Sequence, residues 1–313
     1  MRRACALVGL LCGSQTSTAA STATATSSAR ACKQRHWCVL DKQNTVIFSH
    51  MAHASQSLFP CWSWFFEQNA TDCCGFSFLD GVRLTNTWAK SLVDGTGCAL
   101  SSSMPSGPMM RSEKPRNGLP GVRNRVEWFS VPAAASALRT RVIQPATSSV
   151  NWRAPAIGFL QRGRSRRVTN FDKIEAVLAA TVANATFDTV CFETMPFANQ
   201  TRWMSSHDVV IAAHGAGLTN AAFIRPCAIV MELFPPNYYV SEFYQPLIQQ
   251  AGGIALEWHN GSTPEKDRKL HWGNRSHVRR LDFAPDVAEV ACAITSALKS
   301  RCDTDIVSGT SGS

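Results

Sequence analysis

The sequence predicts an α/β protein whose C-terminal half is a parallel sheet with helices between its strands. Three observations lead there. From Ala156 onward, short apolar runs bounded by turn residues alternate with segments of helical periodicity, the pattern of βα units in a sheet covered on both faces. The stretch Asp208–Asn220, D-V-V-I-A-A-H-G-A-G-L-T-N, runs five small or branched apolar residues into a histidine, two glycines and a helix start. With 313 residues, 45% hydrophobic and 17% charged, the chain is globular rather than disordered. That length allows two domains or one large one, and composition does not choose between them.

Taken in order, Arg2 and Arg3 precede the apolar run Ala4–Leu11 and then small residues, the layout of a secretory leader. The run is too short to span a bilayer as a helix, so membrane association is expected only through this segment. Ser14–Ser28 is a Ser/Thr/Ala stretch that builds no core. Residues 1–30 are therefore set apart as leader plus flexible stretch. Twelve cysteines are present, Cys5 and Cys12 within the leader, which leaves ten for structural disulfides or buried thiols in an oxidising compartment. No C-x-x-C spacing suits zinc. Sequons at Asn69, Asn184, Asn199, Asn260 and Asn274 agree with the secretory pathway, in the endoplasmic reticulum or Golgi lumen or beyond it. The formal charge of +9 points to anionic partners: nucleotides, acidic glycans or membrane surfaces.

Residues 31–150 form the expected N-terminal domain. Trp37, Phe59, Trp62, Phe65, Phe76 and Trp88 supply core material; Val46–Phe48 reads as a strand and Met51–Phe66 as a helix interrupted near Pro60. His50 and His53, three apart, share a face if the helix begins there. Gly95–Pro120 reads as a loop or irregular insertion, and the interdomain connection falls within Val122–Val150.

Residues 151–300 form the second domain. Its elements are strand Ala156–Leu160, a helix capped by Asn170, strand Phe187–Phe192, a helix opened by Pro196, the stretch around His214, strand Ala228–Leu233, helix Ser241–Ala251 bent at Pro246, and strand Ile254–Trp258. Asn260–Asp282 is a polar loop, Pro285 opens a last helix, and the tail 301–313, past Cys302, is expected to be disordered.

Ligands of such sheets bind at the carboxyl ends of the strands. Arg162, Glu193, the turn His214, Gly215, Ala216, Gly217, Leu218, Thr219, Asn220, and Glu232 stand at four consecutive strand ends. Singly, Arg162 reads as one of a solvated cluster with Arg164, Arg166 and Arg167, and Glu232 as a locally paired side chain. Together, an arginine and a helix N-terminus suit a diphosphate, and a carboxylate suits ribose hydroxyls.

The string from Met195-Pro196-Phe197 through Gln200, then S-S-H-D-V-V-I-A-A-H-G-A-G-L-T-N-A-A-F-I-R-P and V-M-E-L-F-P-P with Tyr244 and Leu247, resembles glycosyltransferase family 61 over about Ala156–Trp258. His53, Leu58 and Pro60 look like the family's histidine-bearing helix. The resemblance implies a GT-B arrangement of two Rossmann-like halves, the N-terminal one reduced. It also implies inverting transfer of xylose, N-acetylglucosamine or a similar sugar from a UDP-sugar co-substrate to a glycan or glycoprotein, without metal or other cofactor. Arg162 and His214–Asn220 would hold the diphosphate, Glu232 the ribose, and His53, or an acid such as Asp80, would serve as base. Where the family carries acids just after that histidine, this chain has Ala54-Ser55-Gln56; a catalytically inactive nucleotide-sugar or glycan binder of the same fold is the alternative. A hydrolase reading lacks its G-x-S-x-G elbow. The D-x-D of a metal-dependent transferase occurs only in the tail, at Asp303–Asp305. No nucleic-acid-binding module is recognisable.

Overall fold

A computed structural model describes residues 32, 34–41, 50–112, 128–143, 151–240, 242–259 and 277–308, the last eight by their backbone. The leader, the strand expected at Val46–Phe48, and the sequons at Asn260 and Asn274 lie outside these residues.

Two sheets, both wholly parallel, form the two halves. The C-terminal one contains β5 (Ala156–Gln161), β6 (Thr186–Cys191), β7 (Val209–Ala213), β8 (Ile229–Phe234) and β9 (Ile254–His259) in the order β6-β5-β7-β8-β9. Strand alternation sorts its side chains. Ile157, Phe159, Val209, Ile211, Ile229 and Met231 face one core with α4 (Phe171–Thr181) and the last helix, α7 (Val287–Ser308). Leu160, Val210, Ala212 and Val230 face the other, with α5 (Phe197–Ser206) and α6 (Gln245–Gln250). Because helices cover both faces, the central strands β7 and β8 are buried at every position, which made them legible; the edge strand β6 is mostly exposed. The order reverses between β5 and β7: the chain leaves β5 toward β6 and returns past it to β7. In an open α/β sheet that switch point is where a crevice opens.

The N-terminal half departs from expectation. β1 (His36–Leu40), β2 (Cys74–Phe78), β3 (Ala99–Ser101) and β4 (Met109–Arg111) make a four-stranded sheet ordered β3-β2-β1-β4. The segment read as a loop thus contributes both edge strands. The stretch read as a connection contains α3 (Pro132–Val142), and α2 (Thr87–Thr96) precedes β3. Helix α1 (Met51–Glu67) runs through Pro60 uninterrupted, its course held by buried Phe59, Trp62 and Phe65. Three disulfides, Cys32–Cys73, Cys38–Cys61 and Cys74–Cys98, tie this half together.

Smaller corrections follow from local contacts. Asn170 is the N-cap residue of α4 as expected, but its side chain makes no capping hydrogen bond; its amide donates to the Pro285 carbonyl at 2.9 Å. Pro246 lies in the first turn of α6, where a missing N–H costs nothing, so that helix is short rather than bent. Helix α7 continues to Ser308, past Cys302 where the tail was expected to begin.

The halves share a core. Trp88 of α2 sits edge-on to Phe197 and Phe223 at 5.3 and 6.4 Å and donates its indole N–H to Asn220 Oδ1 at 2.9 Å. Trp128 stacks on Tyr244 at 5.9 Å, while Phe129 stacks on Phe59 of α1 at 4.6 Å.

Candidate functional site

At the carboxyl end of β5, Gln161 closes a seven-residue loop on itself. Its Oε1 accepts from the amides of Arg162 and Val168 at 3.0 and 3.1 Å, and its Nε2 donates to the Val168 carbonyl at 2.8 Å. Within that loop Arg162 Nε donates to the Ser165 carbonyl at 2.9 Å. Arg166 adopts a left-handed backbone, φ 57°, unusual for a residue with a Cβ. Both guanidinium groups are thereby turned toward β7.

Across the switch point, Gly215 receives them. A Cβ built there would lie 2.0 Å from Arg162 Nη1, 3.0 Å from its Cζ and 3.6 Å from Arg166 Nη2. Glycine is needed because a guanidinium occupies the side chain's place; the backbone itself is extended, φ 162°. Two cations thus meet at one point. Arg166 lies over the Tyr238 ring at 5.9 Å, and its Nε is buried without a hydrogen-bond partner. Burial first, and then the Arg162 charge, pull its pKa down to about 10. A half-buried like-charged pair of this kind is relieved by an anion.

His214 forms the next wall. Its Nδ1 lies 2.5 Å from Glu232 Oε1, with both side chains buried, and the rings of Phe234, Tyr238 and Tyr244 pack at 5.0, 5.5 and 5.5 Å. Burial pushes Glu232 well above the ordinary carboxylate range, opposed by Arg166. At 1% exposure, Glu232 orients His214 from beneath and does not present itself to a ribose.

The other sequence-picked residues divide into supports and core. Glu193 accepts from the Gly163 amide and the Cys191 thiol, both at 2.7 Å, and so buttresses the arginine loop. Burial pulls its pKa upward, but those hydrogen bonds and Arg162 outweigh it and hold the carboxyl below its usual range. Ala216 and Gly217 are half-buried at the start of the 3-10 segment Ala216–Phe223. Leu218 and Thr219 are fully buried. Asn220 donates to Gln200 and to the Gly217 carbonyl at 3.0 and 3.1 Å while accepting from Trp88; it clamps the halves together and does not face a ligand.

From the N-terminal half, His50, the residue that precedes α1, and His53 in its first turn have ring centroids 4.8 Å apart. His53 Nδ1 is engaged by Gln56 Oε1 at 3.1 Å. His50 is an exposed residue. Partial burial, followed by the charges of His53, Arg166, Arg162 and Arg279, lowers its pKa to about 4. Asp80 occupies an exposed left-handed turn after β2 and joins no part of this cluster.

Sequence reasoning left Arg166 in the solvated basic cluster and did not pair it with Arg162. Arg166 was hidden in a run of basic residues, and only its spacing of four from Arg162 could have paired them. Among the sequons, Asn69, Asn184 and Asn199 are exposed, the first two in left-handed turns.

The comparisons with known proteins bear on these same elements. The family model described as glycosyltransferase 61 matches residues 109–231, from β4 into β8. The match starts well before the resemblance read from the sequence and stops just short of Glu232. The chain is also similar to an EGF domain-specific O-linked N-acetylglucosamine transferase of Drosophila melanogaster, with 30% identity over 132 residues, 41% of this chain. The chain spans only 24% of that relative's length. The arginine loop, the switch-point glycine and the His214 turn all fall inside residues 109–231, the part of this chain that is similar to glycosyltransferase 61.

Proposed function

We propose that this chain is an inverting, metal-independent glycosyltransferase of GT-B arrangement, moving a sugar from a UDP-sugar to a glycan or glycoprotein. N-acetylglucosamine is favoured as the sugar by the relative's name. The observation that carries the reading is the pair of guanidinium groups converging on Gly215 at the switch point. Arg162 and Arg166 hold the diphosphate, with the amides that open the 3-10 segment as further donors, since a first helical turn leaves its N–H groups unsatisfied. His214, fixed by Glu232, lines the same wall. The arginines and His214 stabilise charge where it develops, on the departing UDP. An acceptor hydroxyl attacks the anomeric carbon from the opposite side and gives its proton to a base on the N-terminal half.

Disulfides throughout the N-terminal half support a lumenal or secreted protein of the secretory pathway. Among the described residues no helix is long and apolar enough to cross a membrane. One observation favours the second reading, a donor-binding protein without turnover: Gln56, where the family carries an acid, occupies His53 Nδ1. Purified protein, UDP calorimetry and a panel of UDP-sugars separate the readings. Binding with transfer or donor hydrolysis supports the enzyme, and binding without either supports the binder. Absence of UDP binding refutes both.

A further inference from the structure

We propose that Asn69 carries an N-linked glycan whose first sugars lie in the cavity between α1 and α3. The inference rests on the secretory-pathway reading above and is independent of the donor site. The sequon Asn69-Ala70-Thr71 follows directly on α1. Asn69 is exposed in a left-handed turn, φ 51°, its backbone amide donating to the Phe66 carbonyl at 3.0 Å. Ala70 is buried and Thr71 half-buried. Thr71 lines a cavity of about 600 Å³, a volume in the range of small-ligand sites. Two residues of chain span at most about 7 Å, so a sugar on Asn69 starts beside the cavity wall.

The lining has the chemistry of a sugar seat. Ala133, Ser136 and Thr140 come from α3, spaced three and four apart so that they share a face, and their small side chains leave the room. Trp62 has given its indole N–H to the Ala134 carbonyl at 2.9 Å, so toward the cavity it contributes apolar ring. Arg141 is held by Asp72 Oδ1 and the Thr96 carbonyl at 2.9 and 3.0 Å. Ring, hydroxyls and a fixed guanidinium suit the C–H face and hydroxyls of a sugar. The co-reactant is a lipid-linked oligosaccharide diphosphate. The Asn69 amide nitrogen bonds to its anomeric carbon and loses one proton, while the bond from that carbon to the phosphate oxygen breaks and its electron pair leaves with the lipid diphosphate. Asn184-Ala185-Thr186 is an internal control: the same tripeptide, exposed in the same left-handed turn, φ 57°, but with Thr186 exposed at the start of the edge strand β6.

The test is expression of the full chain in an animal cell line that leaves N-glycans in the high-mannose form, with occupancy read by mass spectrometry. The folded protein is then digested with an endoglycosidase that cuts between the first two N-acetylglucosamines. Both asparagines are expected to be occupied. The Asn69 glycan should be cut about tenfold or more slowly than the Asn184 glycan, because only its unseated fraction is open to the enzyme, and at the same rate after denaturation. Ala133→Trp fills the cavity from an exposed position and should abolish that protection, with Ala133→Leu as the milder variant should tryptophan unfold the chain. Asn69→Gly keeps the left-handed turn without steric cost and should lower the thermal midpoint by about 2 °C or more beyond Asn184→Gly. A bare Asn69 beside a glycosylated Asn184, equal cleavage of the two in the folded protein, protection persisting in both Ala133 variants, or equal midpoints in the two glycine variants overturns the proposal alone. No glycan at any sequon overturns the secretory-pathway reading and this proposal with it.

Discussion

Gly215→Ala isolates the arginine pair from the stability of the fold. The extended backbone at Gly215, φ 162°, is open to any residue, so alanine costs little in the main chain. Its Cβ, however, would lie 2.0 Å from Arg162 Nη1 and 3.0 Å from Cζ, so the guanidinium must leave its place. Arg162 is a flexible side chain held at its Nε by the Ser165 carbonyl, and it can swing away without moving the sheet. What is lost is a charge-assisted contact to phosphate, on the order of 1.5–3 kcal/mol, or roughly 10- to 150-fold in affinity. Calorimetry should show UDP binding weakened by that factor, with the thermal midpoint within about 2 °C of wild type. A Gly215→Ala protein that binds UDP within about twofold of wild type would refute the assignment of this point as the phosphate seat.

Other consequences concern the supports. Glu232→Ala leaves His214 Nδ1 without its buried acceptor and should cost about 1–3 kcal/mol in chemical denaturation, whereas Glu232→Gln should cost less. Because burial raises the Glu232 pKa, the folded state binds its proton more tightly than the unfolded chain. Wild type should therefore lose stability relative to Glu232→Gln as pH rises from about 4.5 toward the folded value; parallel pH curves would contradict this. His50 has the opposite sign, since its pKa is lowered to about 4. The folded state should lose stability as pH falls from about 6.5 to 4, and His50→Ala should flatten that limb of a denaturation series. Asn220→Ala strips the Trp88 indole and the Gln200 amide of their partner and should destabilise by about 1–3 kcal/mol, read as a lower denaturant midpoint. Chelation with EDTA should leave donor turnover unchanged; inhibition reversed by a divalent cation would refute metal independence.

The C-terminal half was legible because its central strands β7 and β8 are buried on both faces, so Val209–Ala213 and Ile229–Phe234 appear as largely apolar runs. The N-terminal sheet gave no such signal. β3 and β4 are three-residue edge strands with partly exposed side chains, and β1 mixes histidine and tryptophan with its apolar residues. Helix α3 carries little amphipathic contrast, although Pro132 at its first turn and Arg139 and Arg141 near its last are signals that could have found it. Chain order placed Arg162, Glu193, His214 and Glu232 at strand ends, but it could not say which side chains turn outward. Glu232 was read as a ribose ligand because strand-end position is a one-dimensional property; its burial beneath His214 is set by packing across β7 and β8. Arg166 was lost in a basic run for the converse reason, since only the Gln161 clasp and the left-handed turn separate it from solvated neighbours.

The central claim is that a diphosphate sits between Arg162, Arg166 and the His214 turn. It is tested most directly by the affinities of UDP and uridine for wild type, Arg162→Ala and Arg166→Ala. Each substitution is expected to weaken UDP about tenfold or more while leaving the weaker binding of uridine unchanged. Equal UDP affinity in all three proteins would contradict it.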